Sequence, residues 1–201
     1  MEPEFNEVKL KQKLSKLPFW KQLVFLLIIC QRLLPSFRAF SAETGFQGEN
    51  VLRELIAKAW NTLLSGVSST DFSSEYAQAE SIAPDTEDFD TALVSSALDA
   101  VIASSLLMKA FSSGHTDTIV EAVTLIRDSV DMYVQELEDM NPSDPGLEEK
   151  ILNHELMQKE LRRQREDLVF LGSLDDDISI SMTAVKTKWC DSEDSCLGLI
   201  Q

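Results

Sequence analysis

Asp99 is the residue whose position most requires a chemical explanation. It lies in residues 91–111, a stretch in which Lys109 is the other charged residue and the rest are mainly apolar side chains, alanine and serine. A carboxylate without a partner inside a helical interior would be strongly destabilising or would take up a proton. We therefore predict that Asp99 has a partner, and Arg32, near the end of an apolar segment, is the expected one. Hydrogen bonds to nearby serine and backbone groups, or contact with a ligand or metal, are the alternatives.

The two histidines do not follow the pattern of a di-iron site. Acidic helical bundles can hold such a centre, which requires inward-facing glutamates and two Glu-x-x-His motifs. Ser112 stands three residues before His115, and Ile151 stands three residues before His154, so both motifs lack their glutamate. We expect His115 to lie in a turn and His154 to have a structural role on a helix. The sequence predicts no metal.

Nucleophilic catalysis and phosphate binding are not indicated either. The sequence has no Gly-x-Ser-x-Gly motif, and Gly45 and Gly48 lack the lysine and hydroxyl residue of a phosphate-binding loop. Cys30, Cys190 and Cys196 do not have the number and spacing of a zinc site or a disulfide framework. We expect Cys30 in the core, and Cys190 and Cys196 as free thiols that could bridge on oxidation. No catalytic residue and no cofactor are predicted.

The element that positions Asp99 is predicted to be a central helix rich in alanine and serine. Asp85 or Thr86 is expected to cap its amino terminus, and acidic residues follow in or near the first turn, where the helix dipole favours negative charge. Gly114 is expected to end it. A helix that is apolar on nearly all sides is surrounded by other helices, and small side chains let them approach closely.

Further helices are predicted before the central helix. The spacing of apolar residues indicates one helix over roughly 4–17, a second over 19–34, a short third helix opened by Pro35, and a fourth over 51–66. Residues 68–83 are more polar and are predicted to form a short helix with loops. These elements supply the neighbours that the central helix requires.

The most regular apolar spacing in the chain follows Gly114. The positions step by four and three and form a candidate seam, whose members are Ile119, Val123, Ile126, Val130, Tyr133 and Leu137. A seam of this kind is either a contact inside a helical bundle or the contact surface of a homodimer. The sequence leaves both interpretations open.

A linker, Pro142 to Gly146, precedes the carboxy-terminal part of the chain. Beyond it, the stripe positions step by three or four from Leu147 to Trp189, which predicts one long helix or two nearly collinear helices meeting near Gly172. The whole sequence thus predicts one all-α domain over residues 1–201. We expect a bundle of about seven helices around the buried central helix.

The charge of the chain restricts its partners. The formal net charge is −16 at pH 7, and residues 66–201 carry nine basic and 28 acidic residues. Such a surface repels a polyanion, so nucleic acid is not expected as a partner. The acidic surface either aids solubility or docks a basic partner or cations. The longest apolar run, Leu23–Cys30, is too short to cross a bilayer and no secretory signal is evident, so we expect a cytoplasmic protein without a membrane partner.

Several stretches of the sequence match a known bacterial family. They are residues 20–46 (WKQLVFLLIICQRLLPSFRAFSAETGF), Trp60 in its helix, residues 84–90 (PDTEDFD) with 97–103 (ALDAVIA), and the helix over 121–137. Together they resemble the YjaG-like family, domain of unknown function 416. The resemblance implies an all-helical bacterial protein and assigns no biochemical role. The family motif positions, which are candidates for a shared site, fall on Arg32, Pro35, Thr44, Gly45, Phe46, Asp88, Phe89, Asp90 and Asp99.

The sequence favours a helical protein-interaction module without enzymatic activity. Its expected partner is a second copy of the chain, in a homodimer, or the surface of a basic protein. A small-ligand or enzyme site in a cleft lined by Asp99 and Arg32 is the alternative, and a pocket that contains both side chains would favour it.

Overall fold

The chain folds into α-helices that pack around one apolar core in the computed structural model, which describes residues 6–190 and 195–199. The helices are α1 (Glu7–Leu14), α2 (Phe19–Thr44), α3 (Glu49–Leu64), α4 (Ser73–Glu80), α5 (Val94–Ser113), α6 (Thr116–Leu137), α7 (Leu147–Asn153), α8 (Glu155–Ser173) and α9 (Ile178–Val185). A 3₁₀ turn, Thr86–Asp88, precedes α5, and a π-helical turn, Lys186–Cys190, follows α9. No strand occurs in the described ranges. The predicted all-α helical bundle is confirmed.

The centre of the fold is the crossing of α2, α5 and α6. α5 contacts α2, α4 and α6, while α2 also contacts α3 and α8. Ala97, Ala100 and Ala103 of α5 are buried, so small side chains line the predicted central helix where its neighbours approach. α5 is therefore the interior element that the sequence indicates.

The apolar character of α2 and α5 is largely explained by their position in the core. Both helices are long and apolar enough, by length and composition, to cross a bilayer. However, 78% of the most apolar window of α2 and 72% of that of α5 is buried inside the fold. Burial against neighbouring helices accounts for this composition without a lipid environment.

α2 continues through Pro35 as one helix of 26 residues, so the predicted break at this proline is wrong. A proline inside a helix removes one backbone donor and disturbs the carbonyls of the preceding turn. Leu33 and Phe37, on either side of the proline, are fully buried, and the carbonyl of Arg32 accepts a hydrogen bond from the backbone N–H of Cys196 at 3.1 Å. Tertiary packing therefore outweighs the local preference of proline.

α5 begins at Val94, later than the predicted start near Asp85 or Thr86. The Asp85 side chain instead caps the 3₁₀ turn by accepting a hydrogen bond from the backbone N–H of Glu87. Residues 89–93 consequently form a non-helical loop in front of α5. This loop carries part of the family motif to the surface.

The carboxy-terminal part forms three helices, so the predicted single long helix is wrong. The alternative, two helices meeting near Gly172, places one break correctly, because α8 ends at Ser173, and misses the break at His154. The backbone is extended at His154, between α7 and α8, and at Leu174, after α8. The turn after α8 is held against the start of α2, because Trp20 Nε1 donates to the carbonyl of Asp176 at 2.9 Å and the buried Lys21 Nζ donates to the carbonyl of Leu174 at 2.7 Å. Apolar spacing stays in phase across both interruptions and therefore did not show the one at His154, while Gly172 was the signal for the other.

Candidate functional site

Asp99 lies on α5 facing α6, where it is half-buried. Ser129 of α6 donates a hydrogen bond from Oγ to Asp99 Oδ2 at 2.5 Å. Burial raises the pKa of Asp99 from 3.8 to about 6, the Ser129 hydrogen bond opposes this rise, and the negative charge of Asp128 adds to it. The partner of Asp99 is therefore a serine hydroxyl, and the prediction that it pairs with Arg32 is wrong.

Arg32 belongs to a separate, buried charge cluster that joins α2 to α8. Its Nη1 lies 3.1 Å from Glu160 Oε1, and its Nη2 pairs with Asp167 Oδ2. Gln164 Nε2 donates to Glu160 Oε1 at 3.1 Å, and Trp189 Nε1 donates to Asp167 Oδ1 at 3.2 Å. Burial alone would lower the pKa of Arg32, but the two carboxylates raise it above its ordinary value. The guanidinium thus stays charged inside the protein.

The sequence indicates in part which residues surround Arg32. Glu160, Gln164 and Asp167 follow one another at spacings of four and three, so they share one face of α8. Gln164 itself falls on the stripe that the spacing predicted to be buried. The spacing does not show that α8 packs against α2. This packing brings Glu160 and Asp167 to Arg32, and Asp99 therefore is not its partner.

The described cysteine side chains are buried. Cys30 and Cys196 are each 1% exposed, and burial raises the pKa of each thiol to about 12. Such thiols stay protonated and weakly nucleophilic near neutral pH. The predicted core position of Cys30 is confirmed. The side chain of Cys190 lies outside the described part of the protein, so its bridge to Cys196 stays a prediction.

The histidines lie at helix starts. His154 Nδ1 accepts a hydrogen bond from the backbone N–H of Leu156 at 3.3 Å, and its Nε2 lies 3.7 Å from Glu138 Oε1. His154 thus has a structural role, as predicted, but it caps α8 from the extended residue between two helices and does not lie inside a helix. His115 is exposed directly before α6. Among the residues that the structure describes, no three His, Cys, Asp or Glu side chains are grouped so that they could hold a metal ion.

The candidate seam on α6 is mainly an internal contact. Its first four members, Ile119, Val123, Ile126 and Val130, are fully buried. Tyr133 is partly buried and Leu137 is 55% exposed, so the seam reaches the surface at the end of α6. The bundle interpretation therefore applies to the first four positions.

A groove of about 580 Å³ opens at the surface where the seam emerges. It lies between the second half of α6, the loop over residues 89–93, and the end of α2. Its apolar lining consists of Phe89, Ala92, Leu93, Met132, Tyr133 and Leu199, and its acidic lining consists of Glu43, Asp90 and Glu136. We call this surface the acidic groove. Three chain segments that are far apart in the sequence supply its three carboxylates.

The acidic groove rests on packed aromatic rings. Phe89 contacts Phe40 and Phe46 edge to face, with ring centroids 5.0 and 5.6 Å apart. The turn after α2 is fixed locally, because the Thr44 Oγ accepts from the backbone N–H of Phe46 at 3.2 Å and Gly45 takes the left-handed conformation at φ +77°. These contacts give the groove a preorganised floor.

The family motif positions separate into two places in the fold. Arg32 belongs to the buried charge cluster, and Pro35 lies about one helical turn further along α2. Phe89 and Asp90 line the acidic groove, while Thr44, Gly45 and Phe46 form and support the turn beneath it. Asp88 ends the 3₁₀ turn in front of the loop, and Asp99 lies one helical turn beyond Ser95, a further lining residue. The motif thus converges mainly on the groove.

The cleft expected between Asp99 and Arg32 does not form. A smaller cavity of about 220 Å³ adjoins Arg32 and Asp167 and does not include Asp99. The charged groups of Arg32 and Asp167 already pair with each other at its edge. Asp99 and Arg32 therefore do not share a site in the described part of the chain.

The chain is an all-α bundle protein with an acidic surface groove and a separate buried ion-pair cluster. The chain belongs to the family described as Protein of unknown function (DUF416), whose model matches residues 9–200. This confirms the resemblance found in the sequence.

Similar proteins support the family assignment and the fold. The chain is 30% identical over 118 residues to the uncharacterized protein YjaG of Escherichia coli K12, and 27% identical over 116 residues to an uncharacterized protein of Haemophilus influenzae. The first match covers 59% of both chains, and the second covers 57% of this chain and 59% of the relative. The crystal structure of a DUF416 family protein from Shewanella baltica OS155 aligns with a TM-score of 0.84 at 23% identity, covering 95% of this chain and 98% of that one.

Proposed function

We propose that this protein is a non-enzymatic protein-interaction module that docks a segment of a partner protein in the acidic groove. The observation that carries the proposal is the exposure of Met132, which is 53% accessible within the apolar lining of the groove. Apolar side chains left open in a preformed concavity are typical of protein-binding and ligand-binding surfaces. The packed aromatic rings under the groove keep this surface in shape without a partner.

The chemistry of the described side chains also supports binding over catalysis. The thiols of Cys30 and Cys196 have pKa values of about 12, and His154 caps a helix through Nδ1. Arg32 and Asp167 neutralise each other in a buried cluster. These groups are engaged in holding the fold, whereas the carboxylates of the groove are exposed.

A selection from a random peptide library tests this proposal. Phage-displayed peptides of about 12 residues would be selected on the wild-type protein and then tested on Met132→Arg, which fills the groove with a long side chain. Val169→Arg is the matched control, because Val169 is also an exposed apolar residue, at 74%, and does not line the groove.

We expect selected peptides to bind wild type and Val169→Arg alike and to lose binding to Met132→Arg by about tenfold or more. Peptides that bind all three proteins equally, or a selection that enriches no peptide, would contradict the proposal. Circular dichroism of the three proteins checks that both variants keep the helical fold.

A further inference from the structure

We infer that the occupant of the acidic groove is a basic amphipathic helix of a partner protein. This inference rests on the proposed function and adds the chemistry of the partner to it. The groove combines an apolar floor with three carboxylates, and its complement is a segment that presents apolar side chains on one face and lysine or arginine beside them.

The chain segments that form most of the groove carry negative charge throughout, and this charge favours a basic partner over an acidic one. Two segments supply most of the groove, residues 59–108 and residues 128–149. Each contains eight acidic residues, and neither contains a lysine, an arginine or a histidine. An acidic segment entering the groove would meet negative charge from both walls, so the field around the groove favours a basic partner.

The carboxylates are placed on different sides of the apolar floor. Glu43 lies at the end of α2, Asp90 in the loop before α5, and Glu136 near the end of α6. A basic side chain on any flank of a docked segment would therefore lie near one of them. Because all three are exposed, each pair would add little affinity alone and would act together on association rate and selectivity.

The secondary structure of the groove favours a helix as the occupant. An extended segment gains much of its affinity by adding to an exposed sheet edge, and the groove walls are helices and a short loop. A helix satisfies its own backbone hydrogen bonds and needs only side-chain contacts. A volume of about 580 Å³ accommodates a few apolar side chains from one helix face.

Three synthetic peptides test the inference. They share a stripe of leucines at helical spacing and differ only in their polar positions, which are lysine and arginine in the first, glutamine in the second and glutamate in the third. Binding to the 201-residue protein is measured by fluorescence anisotropy at low and high salt. The protein variants are a groove triple variant, Glu43→Gln with Asp90→Asn and Glu136→Gln, and a control triple variant, Glu54→Gln with Glu121→Gln and Glu155→Gln, which removes three exposed carboxylates elsewhere.

We expect the basic peptide to bind wild type at least about tenfold more tightly than the other two peptides, and to bind more weakly at high salt. The groove triple variant should lose about tenfold in affinity, and the control triple variant about twofold at most. Equal loss in both variants would overturn the inference, because it would show attraction by net charge without use of the groove.

The remaining outcomes separate this inference from the proposed function. If the neutral or acidic peptide binds as well as the basic one, and Met132→Arg abolishes that binding, the groove docks peptides but the basic partner is wrong. If the basic peptide fails to bind at about 1 mM while library peptides of another composition bind the groove, the inference is again overturned and the proposed function stands. If library and synthetic peptides all bind independently of Met132, both are wrong.

Discussion

Asp99 and Arg32 are charged residues in two apolar helices, and different contacts stabilise them. Arg32 pairs with two carboxylates, each of which accepts a further hydrogen bond from a neighbouring side chain, so the charge of Arg32 is retained inside the protein. Burial and the negative charge of Asp128 disfavour the charged form of Asp99, and the hydrogen bond from Ser129 only partly offsets them. The two residues therefore respond differently to pH.

We expect Asp99→Asn to raise the stability of the protein above neutral pH and to weaken its pH dependence. A carboxyl whose pKa rises from 3.8 to about 6 binds its proton more tightly in the folded than in the unfolded state. It therefore adds stability as the pH falls from about 6 towards 4, and this gain is lost as the pH rises through 6. Asparagine stays neutral, and its side-chain carbonyl can still accept the Ser129 hydrogen bond.

The measurement is the free energy of unfolding from urea titrations at about pH 5 and about pH 7.5. The change between the two pH values should be smaller in Asp99→Asn by about 1 kcal/mol, less than full linkage would give, since Asp99 is partly open to solvent. An identical change in wild type and variant would show that Asp99 titrates alike in the folded and unfolded states.

Apolar spacing predicted which segments of the chain form helices better than it predicted where those helices begin and end. Burial of one face imposes a period of about 3.6 residues, so α3, α5 and α6 could be predicted from their apolar stripes. Pro35 was a misleading signal, because buried neighbours on α2 hold the helix through it. The break at His154 between α7 and α8 was missed, since this extended residue leaves the stripe in phase, whereas the end of α8 lies beside the junction predicted near Gly172.

The candidate site could be predicted less well than the helices. The acidic character of its walls and the motif around Phe89 are visible in the sequence. That Glu43, Asp90 and Glu136 share one surface is not, because the three lie far apart in the chain and meet only when α2 and α6 pack on α5. For the same reason the partners of Arg32 were assigned wrongly.

We expect Arg32→Met to destabilise the protein strongly through the contact between α2 and α8. Without the guanidinium, Glu160 and Asp167 would remain as like charges in a buried place, which costs about 3 to 5 kcal/mol. Arg53→Met is the matched control, since Arg53 is exposed on α3, and should change stability by less than about 0.5 kcal/mol.

Urea titrations of the two variants at one pH measure this difference. Adding Glu160→Gln and Asp167→Asn to Arg32→Met should recover part of the lost stability, because the unpaired charges are then removed. A loss of similar size in Arg32→Met and Arg53→Met would contradict a role for the buried ion pairs.

At the scale of the whole molecule, the net charge of −16 affects the stability of the fold. Acidic residues are concentrated beyond residue 65, and many of them are exposed, so the compact state suffers repulsion that the expanded chain relieves. Dissolved salt screens charges at the surface within about 10 Å at 0.1 M. Stability should therefore depend on ionic strength.

We expect the unfolding temperature to rise by a few degrees when NaCl is increased from about 20 to about 300 mM, measured by circular dichroism. The control triple variant, which carries three fewer negative charges, should show a smaller rise. A fall in unfolding temperature with salt would mean that attractive surface ion pairs outweigh the repulsion.

The division of the acidic groove into an aromatic floor and an exposed charged rim has an evolutionary consequence. Phe40, Phe46 and Phe89 pack into one another, so a change at any of them disturbs the fold. Glu43, Asp90 and Glu136 are exposed and belong to separate segments, so each can mutate singly at little cost in stability. Single substitutions at these carboxylates would therefore change the charge pattern that the proposed partner has to match and leave the aromatic floor intact.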